Sequence, residues 1–92
     1  MTAPDPSPDQ LALLRDIDAG KVHHIFQRSA VYDINTATGR RVTVPIRRLR
    51  AAGWIRPCGL RCPRRGRPSH QYAEWCWQLT TAGRTILEGA RR

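Results

Sequence analysis

The middle of this chain lacks acid. No aspartate or glutamate lies between Asp33 and Glu74, while ten arginines fall between Arg40 and Arg67. Lysine is nearly missing as well: the sixteen basic residues are fifteen arginines and Lys21. No apolar run approaches the roughly 18–20 residues of a membrane-spanning helix. The opening MTAPDPSPDQ has neither a basic n-region nor a long apolar stretch, so no secretory signal is expected. Three cysteines without such a signal point to a reducing cytoplasm and away from a disulfide scaffold. Catalytic patterns are missing too. There is no Gly-rich phosphate loop followed by Lys-Ser/Thr, and no paired carboxylates sit in an apolar run. Cys62 and His70 could be named as a nucleophile pair, but nothing supplies a third, orienting group. A non-enzyme is expected.

What is present is a polarised charge distribution. The net charge is +9 on 92 residues, and the acids gather early, at Asp5, Asp9, Asp16, Asp18 and Asp33. Such asymmetry favours a polyanionic partner, a nucleic acid or an anionic membrane. The length allows one small domain, expected over residues 7–90, behind a Pro-rich tail (1–6) expected to be disordered.

Local signals divide that domain. Ser7-Pro8-Asp9-Gln10 is a helix start with a capping box, Leu11, Leu14 and Ile17 follow at helical spacing, and Gly20 stops the helix. Residues 21–26 and 30–35 read as two short strands. Of the His23-His24 pair, one is expected to pack and the other to be exposed. Residues 36–40, TATGR, read as a turn. Residues 54–58 and 72–79 read as two strands joined by a long basic loop, with Trp75, Trp77 and Leu79 on one face and Cys76 on the other. A short helix with Ile86 and Leu87 closes the chain. The class is α+β, in the order α-β-β-α-β-β-α. The expected core is Leu14, Ile17, Ile46, Leu49, Trp54, Trp77 and Leu79, with Trp75 at least half-buried.

The central helix, TVPIRRLRAAG, carries the sharpest chemistry. Thr43 is placed to cap it, Pro45 sits in its first turn and Gly53 ends it. Ile46, Leu49 and Ala52 share one face. Val44, Arg47, Arg48 and Ala51 share the other, with Arg50 on the flank. Arginine suits guanine edges and short apolar groups suit thymine methyls, as in a DNA major groove. A plainly solvated face has the same composition.

The helix ending in Leu49, Gly53, Trp54 and Ile55, then a basic hairpin, then Leu79, Thr80, Gly83, Arg84 and Leu87, resembles winged-helix DNA-binding domains of MarR- and PadR-like regulators. The resemblance covers residues 43–87. In place of the second helix of those families, residues 21–35 read as a strand pair. Within the loop, Pro63-Arg64-Arg65-Gly66-Arg67-Pro68 resembles an AT-hook core. Glycine there lets the backbone approach the minor-groove floor, and the arginines point into its negative potential. What the resemblance implies is a small winged-helix-like domain on double-stranded DNA, A·T-rich where the loop reads it, as a transcriptional regulator or a nucleoid or phage-type DNA binder. Arg47, Arg48 and Arg50, flanked by Thr43 and Val44, would enter the major groove. Arg65, Gly66 and Arg67 would enter the minor groove, and Arg40, Arg41, Arg61 and Arg64 would neutralise phosphates. The expected location is the cytoplasm, on the nucleoid.

Cys58, Cys62, His70 and Cys76 could supply a tetrahedral zinc site. Their spacing matches no standard finger, and the strand alternation turns Cys76 away from Trp75 and Trp77, so no metal or other cofactor is expected. Two further functions fit the same sequence: a winged-helix protein-interaction module, such as an adaptor or an inhibitor of a host protein, and an RNA-binding protein. A homodimer is compatible with any of them.

Overall fold

The computed structural model describes residues 5–27, 29–58 and 73–90. Among these residues three helices and one five-stranded antiparallel sheet form an α+β arrangement: α1 (Pro8–Asp18), β1 (Val22–Gln27), β2 (Ala30–Asn35), β3 (Arg40–Arg41), α2 (Thr43–Ala51), β4 (Ile55–Pro57), β5 (Ala73–Leu79) and α3 (Thr81–Ala90). The strand order is β3-β2-β1-β5-β4. Among the described residues no helix is long and apolar enough to cross a membrane.

Helix α1 begins as its sequence dictates. The Ser7 hydroxyl accepts the Gln10 N–H at 3.1 Å, and Gln10 Oε1 accepts the Ser7 N–H at 2.9 Å. Two backbone donors that helix geometry leaves without partners are thereby satisfied. Leu13, Leu14 and Ile17 turn inward, and Leu11 packs at the margin.

Helix α2 corrects one expectation. Its cap residue is Val42, whose carbonyl accepts the Ile46 N–H, and no side chain caps it. Thr43 is already the first helical residue. Its hydroxyl is taken by the Asp33 N–H at 3.0 Å, so it ties the helix to β2 instead of closing the helix end. The C-terminus follows the expected route. Gly53 has φ +79°, the Trp54 N–H donates to the Leu49 carbonyl and the Gly53 N–H to the Arg50 carbonyl. This double closure needs a left-handed residue after the helix, a conformation glycine adopts without strain.

The sheet adds a strand that local pattern did not reveal. Arg40 and Arg41 pair with Asn35 and Ile34 at the edge. Asn35 organises the reversal, its carbonyl accepting the Gly39 N–H at 2.8 Å while its amide donates to Asp16 Oδ2 at 2.8 Å. At the other edge Ile55, Arg56 and Pro57 face Leu79, Gln78 and Trp77. In the middle, His24 stands opposite Asp33 on one side and Trp75 on the other. Residues opposite in register share a face, so Val22, His24, Asp33, Trp75, Trp77 and Leu79 line one side. The helices cover it: Leu14, Ile17, Ile46, Leu49, Trp54, Ile55, Trp77, Leu79 and Leu87 form one buried cluster.

The two motifs of the second half touch each other. The Thr80 hydroxyl accepts the Gly83 N–H, which makes it the cap of α3, and donates to the Gly53 carbonyl at 2.6 Å. Gly83 lies against the Trp54 carbonyl so closely that a Cβ there would overlap the oxygen. Arg84 reaches back to Asp18 at 3.3 Å. The helix end at Gly53-Trp54 and the Thr-x-x-Gly start of α3 are thus one packed joint.

Candidate nucleic-acid interface

The β3–α2 segment presents the basic residues. On α2, Ile46 and Leu49 are 1% and 0% exposed, while Arg47, Arg48, Arg50 and Ala51 are exposed and Val44 is 58% exposed. Two large apolar anchors hold the helix down, and the opposite face offers cations beside small apolar groups. Arg40 and Arg41, exposed on the edge strand, extend that basic surface toward the helix N-terminus.

Two of these arginines rest on aromatic rings. The Arg41 guanidinium lies 4.2 Å from the centroid of Tyr32, and that of Arg50 lies 5.5 Å from the centroid of Trp77. Such cation–ring contacts hold a long side chain in place. Arg50 is therefore directed toward the β5 side of the helix, whereas Arg47 and Arg48 occupy the outward face.

Behind α2 stands a polar joint centred on Asp33, the last acid before the basic segment. It is 3% exposed. Its carboxylate accepts the Trp77 indole N–H at 2.6 Å, and the same oxygen lies 2.9 Å from His24 Nδ1. Its backbone N–H goes to Thr43 and its carbonyl accepts the Val42 N–H at 2.8 Å. One residue so ties β2 to β1, β5 and the start of α2. A buried carboxylate is tolerated because it is hydrogen-bonded.

The histidine pair also differs from expectation. His23 is buried, but His24 is half-buried rather than exposed, stacked on Trp75 at 4.0 Å with ring planes 7° apart. Trp77 stands edge-on to both rings. The cross-strand pairing of His24 with Trp75 and Asp33 explains this, and no signal within residues 21–26 carries it.

Thr43 and Val44 flank the basic face as expected, though the Thr43 hydroxyl is engaged inside the fold. Arg61, Arg64, Arg65, Gly66 and Arg67 lie outside the described residues, as do Cys62 and His70. Cys58 and Cys76 are brought together: the Cys58 N–H donates to the Cys76 carbonyl at 2.8 Å, and Cys58 Sγ accepts the Cys76 N–H at 3.3 Å. The alternation that turns Cys76 away from Trp77 places it beside Cys58, so it does not separate the two. Among the described residues no group of three or more His, Cys, Asp or Glu is placed to hold a metal ion.

No protein-family model, no curated protein and no solved structure matches this chain.

Proposed function

We propose that this chain is a double-stranded DNA-binding domain of winged-helix type, serving as a transcriptional regulator or a nucleoid or phage-type DNA binder. The observation that carries the reading is the two-sidedness of α2: Ile46 and Leu49 are buried, while Arg47, Arg48 and Val44 face outward in a stretch with no acid between Asp33 and Glu74. In this reading α2 enters the major groove, where Arg47 and Arg48 meet base edges or phosphates and Val44 meets a thymine methyl. Arg40 and Arg41 neutralise phosphates beside it. Hairpin β1–β2 takes the place of the second helix of the winged-helix pattern, bracing α2 through Asp33 and Thr43. The β4–β5 hairpin is the wing, and its Arg65-Gly66-Arg67 sequence reads minor-groove width.

The test is duplex affinity across salt concentration, measured by fluorescence anisotropy on A·T-rich and G·C-rich duplexes and on single-stranded RNA. Release of counterions makes log K fall linearly with log salt for a protein that neutralises phosphates. Tighter binding to single-stranded RNA than to either duplex would shift the assignment to RNA.

One observation favours a second reading, a protein-interaction module. Phe26 and Val31 stand opposite each other on β1–β2, 60% and 55% exposed. Exposed apolar side chains clustered together suit a protein contact. Weak duplex binding with no salt dependence would favour this reading.

A further inference from the structure

Cys58 and Cys76 belong neither to the basic face of α2 nor to the main core. The β4–β5 register pairs Pro57 with Trp77, and its next step sets Cys58 against Cys76. Residues opposite in register share a face, so both thiols lie on the side of the sheet away from Trp77 and the helices. They are 9% and 0% exposed and form a small buried cluster separate from the main one. Packing alone would explain two buried thiols, since cysteine behaves as a small hydrophobe. The contact between them asks for more. The Cys76 N–H donates to Cys58 Sγ at 3.3 Å. A neutral thiol is a weak acceptor. A metal-bound thiolate is a stronger one, and hydrogen bonds of this kind orient metal ligands. Strand alternation argues against a metal only if it parts Cys76 from its partners, and the pairing with Cys58 shows that it does not.

The sequence that joins the two cysteines holds two more ligands of the same kind. Cys62 and His70, outside the described residues, complete the pattern Cys-x3-Cys-x7-His-x5-Cys. The Cys58–Cys62 spacing falls within the roughly two to four intervening residues typical of zinc-binding cysteine pairs. We propose that Cys58, Cys62, His70 and Cys76 hold one zinc ion in a closed, structural site. Three thiolates and one imidazole suit zinc, which takes sulfur and nitrogen donors in a tetrahedron. Four protein ligands leave no open position, so the ion does no chemistry. In sequence the ligands bracket Arg64, Arg65 and Arg67, two before them and two after. Binding zinc cuts the free loop from the seventeen residues between Cys58 and Cys76 to the seven between Cys62 and His70, which lowers the entropy lost in presenting those arginines. The metal site stands on its own chemistry. Only this use of it rests on the DNA-binding reading.

The experiment takes the full chain, reduced and stripped with a chelator, and titrates it with cobalt(II), whose tetrahedral thiolate complexes absorb in the visible and near-ultraviolet. The expected result is saturation at one equivalent, a near-ultraviolet intensity that matches three thiolates, and bleaching by one equivalent of zinc. Cys62→Ser and His70→Ala should each weaken zinc binding at least about tenfold, because loss of even a supporting contact to a ligand costs about 10–100-fold. Thermal midpoints of the stripped variants check that they fold, and the thiolate count on wild type needs no variant. Cobalt that stays octahedral, an intensity matching fewer than three thiolates, or folded variants that hold zinc as tightly as wild type would each overturn the site. Cobalt and zinc binding by a chain that ignores duplex supports the site and defeats the groove reading. Salt-dependent duplex binding by a chain with no thiolate band overturns the site alone.

Discussion

Gly83 packs against the carbonyl of Trp54, so that the first turn of α3 lies directly on the chain leaving α2. Only a residue without a Cβ permits this approach. Gly83→Ala should lower stability by about 1–3 kcal/mol through overpacking, although alanine is the better helix former. Gly89, in the same helix, has nothing within 4 Å of a built Cβ. Gly89→Ala should be neutral or gain up to about 1 kcal/mol. Thermal midpoints of the two variants check the contrast, and equal midpoints would mean the joint is looser than described.

Leu49 is fully buried under α2, with Arg47 exposed two residues away. Leu49→Ala should cost about 2–5 kcal/mol, a large share of the stability of a domain this small. Arg47→Ala should stay within about 0.5 kcal/mol of wild type. Urea denaturation separates the two, and an unchanged midpoint for Leu49→Ala would contradict the helix register.

The bond from Trp77 to Asp33 spans 44 residues of chain and closes the joint behind α2. Trp77→Phe keeps most of the apolar contact but takes one donor from a buried carboxylate. The expected loss is about 1–3 kcal/mol, the cost of leaving a buried acceptor short of a partner. A double-mutant cycle with Asp33→Asn should show coupling between the two positions. Additive losses would mean the hydrogen bond contributes nothing of its own.

The features that sequence made legible are short-range. The Ser7–Gln10 capping box, the glycine end at Gly53 and the inward turn of Ile46 and Leu49 each depend on residues within a few positions. Helical periodicity and capping chemistry suffice for those. Thr43 misled because a threonine two residues before a proline has the makings of a cap, yet its hydroxyl is claimed by Asp33, ten residues earlier. Strand β3 is two residues long, too short for any alternation, and exists through its pairing with Ile34 and Asn35. Asp33 and His24 became site residues only when β5 returned to place Trp75 and Trp77 against them, more than forty residues later. Long-range pairing of this kind leaves no periodic trace in the sequence.

The wing prediction rests on chemistry independent of charge. Gly66→Val keeps every arginine of the Arg65-Gly66-Arg67 segment. In a minor-groove reader the added side chain holds the backbone off the groove floor, so affinity for A·T-rich duplex should fall while affinity for G·C-rich duplex changes little. Equal affinities of variant and wild type on both duplexes would leave the segment a plain basic loop.

In the proposed function the outward face of α2 meets DNA. That contact is tested most directly by duplex affinity measured from low to moderate salt for wild type and for the double variant Arg47→Ala/Arg48→Ala. Wild type should bind with log K falling linearly in log salt. The double variant, with its thermal midpoint retained, should bind at least about tenfold more weakly, since each good base contact of this kind contributes about 1–3 kcal/mol. A double variant that binds as tightly as wild type, with the same salt slope, would contradict the claim and remove α2 from the interface.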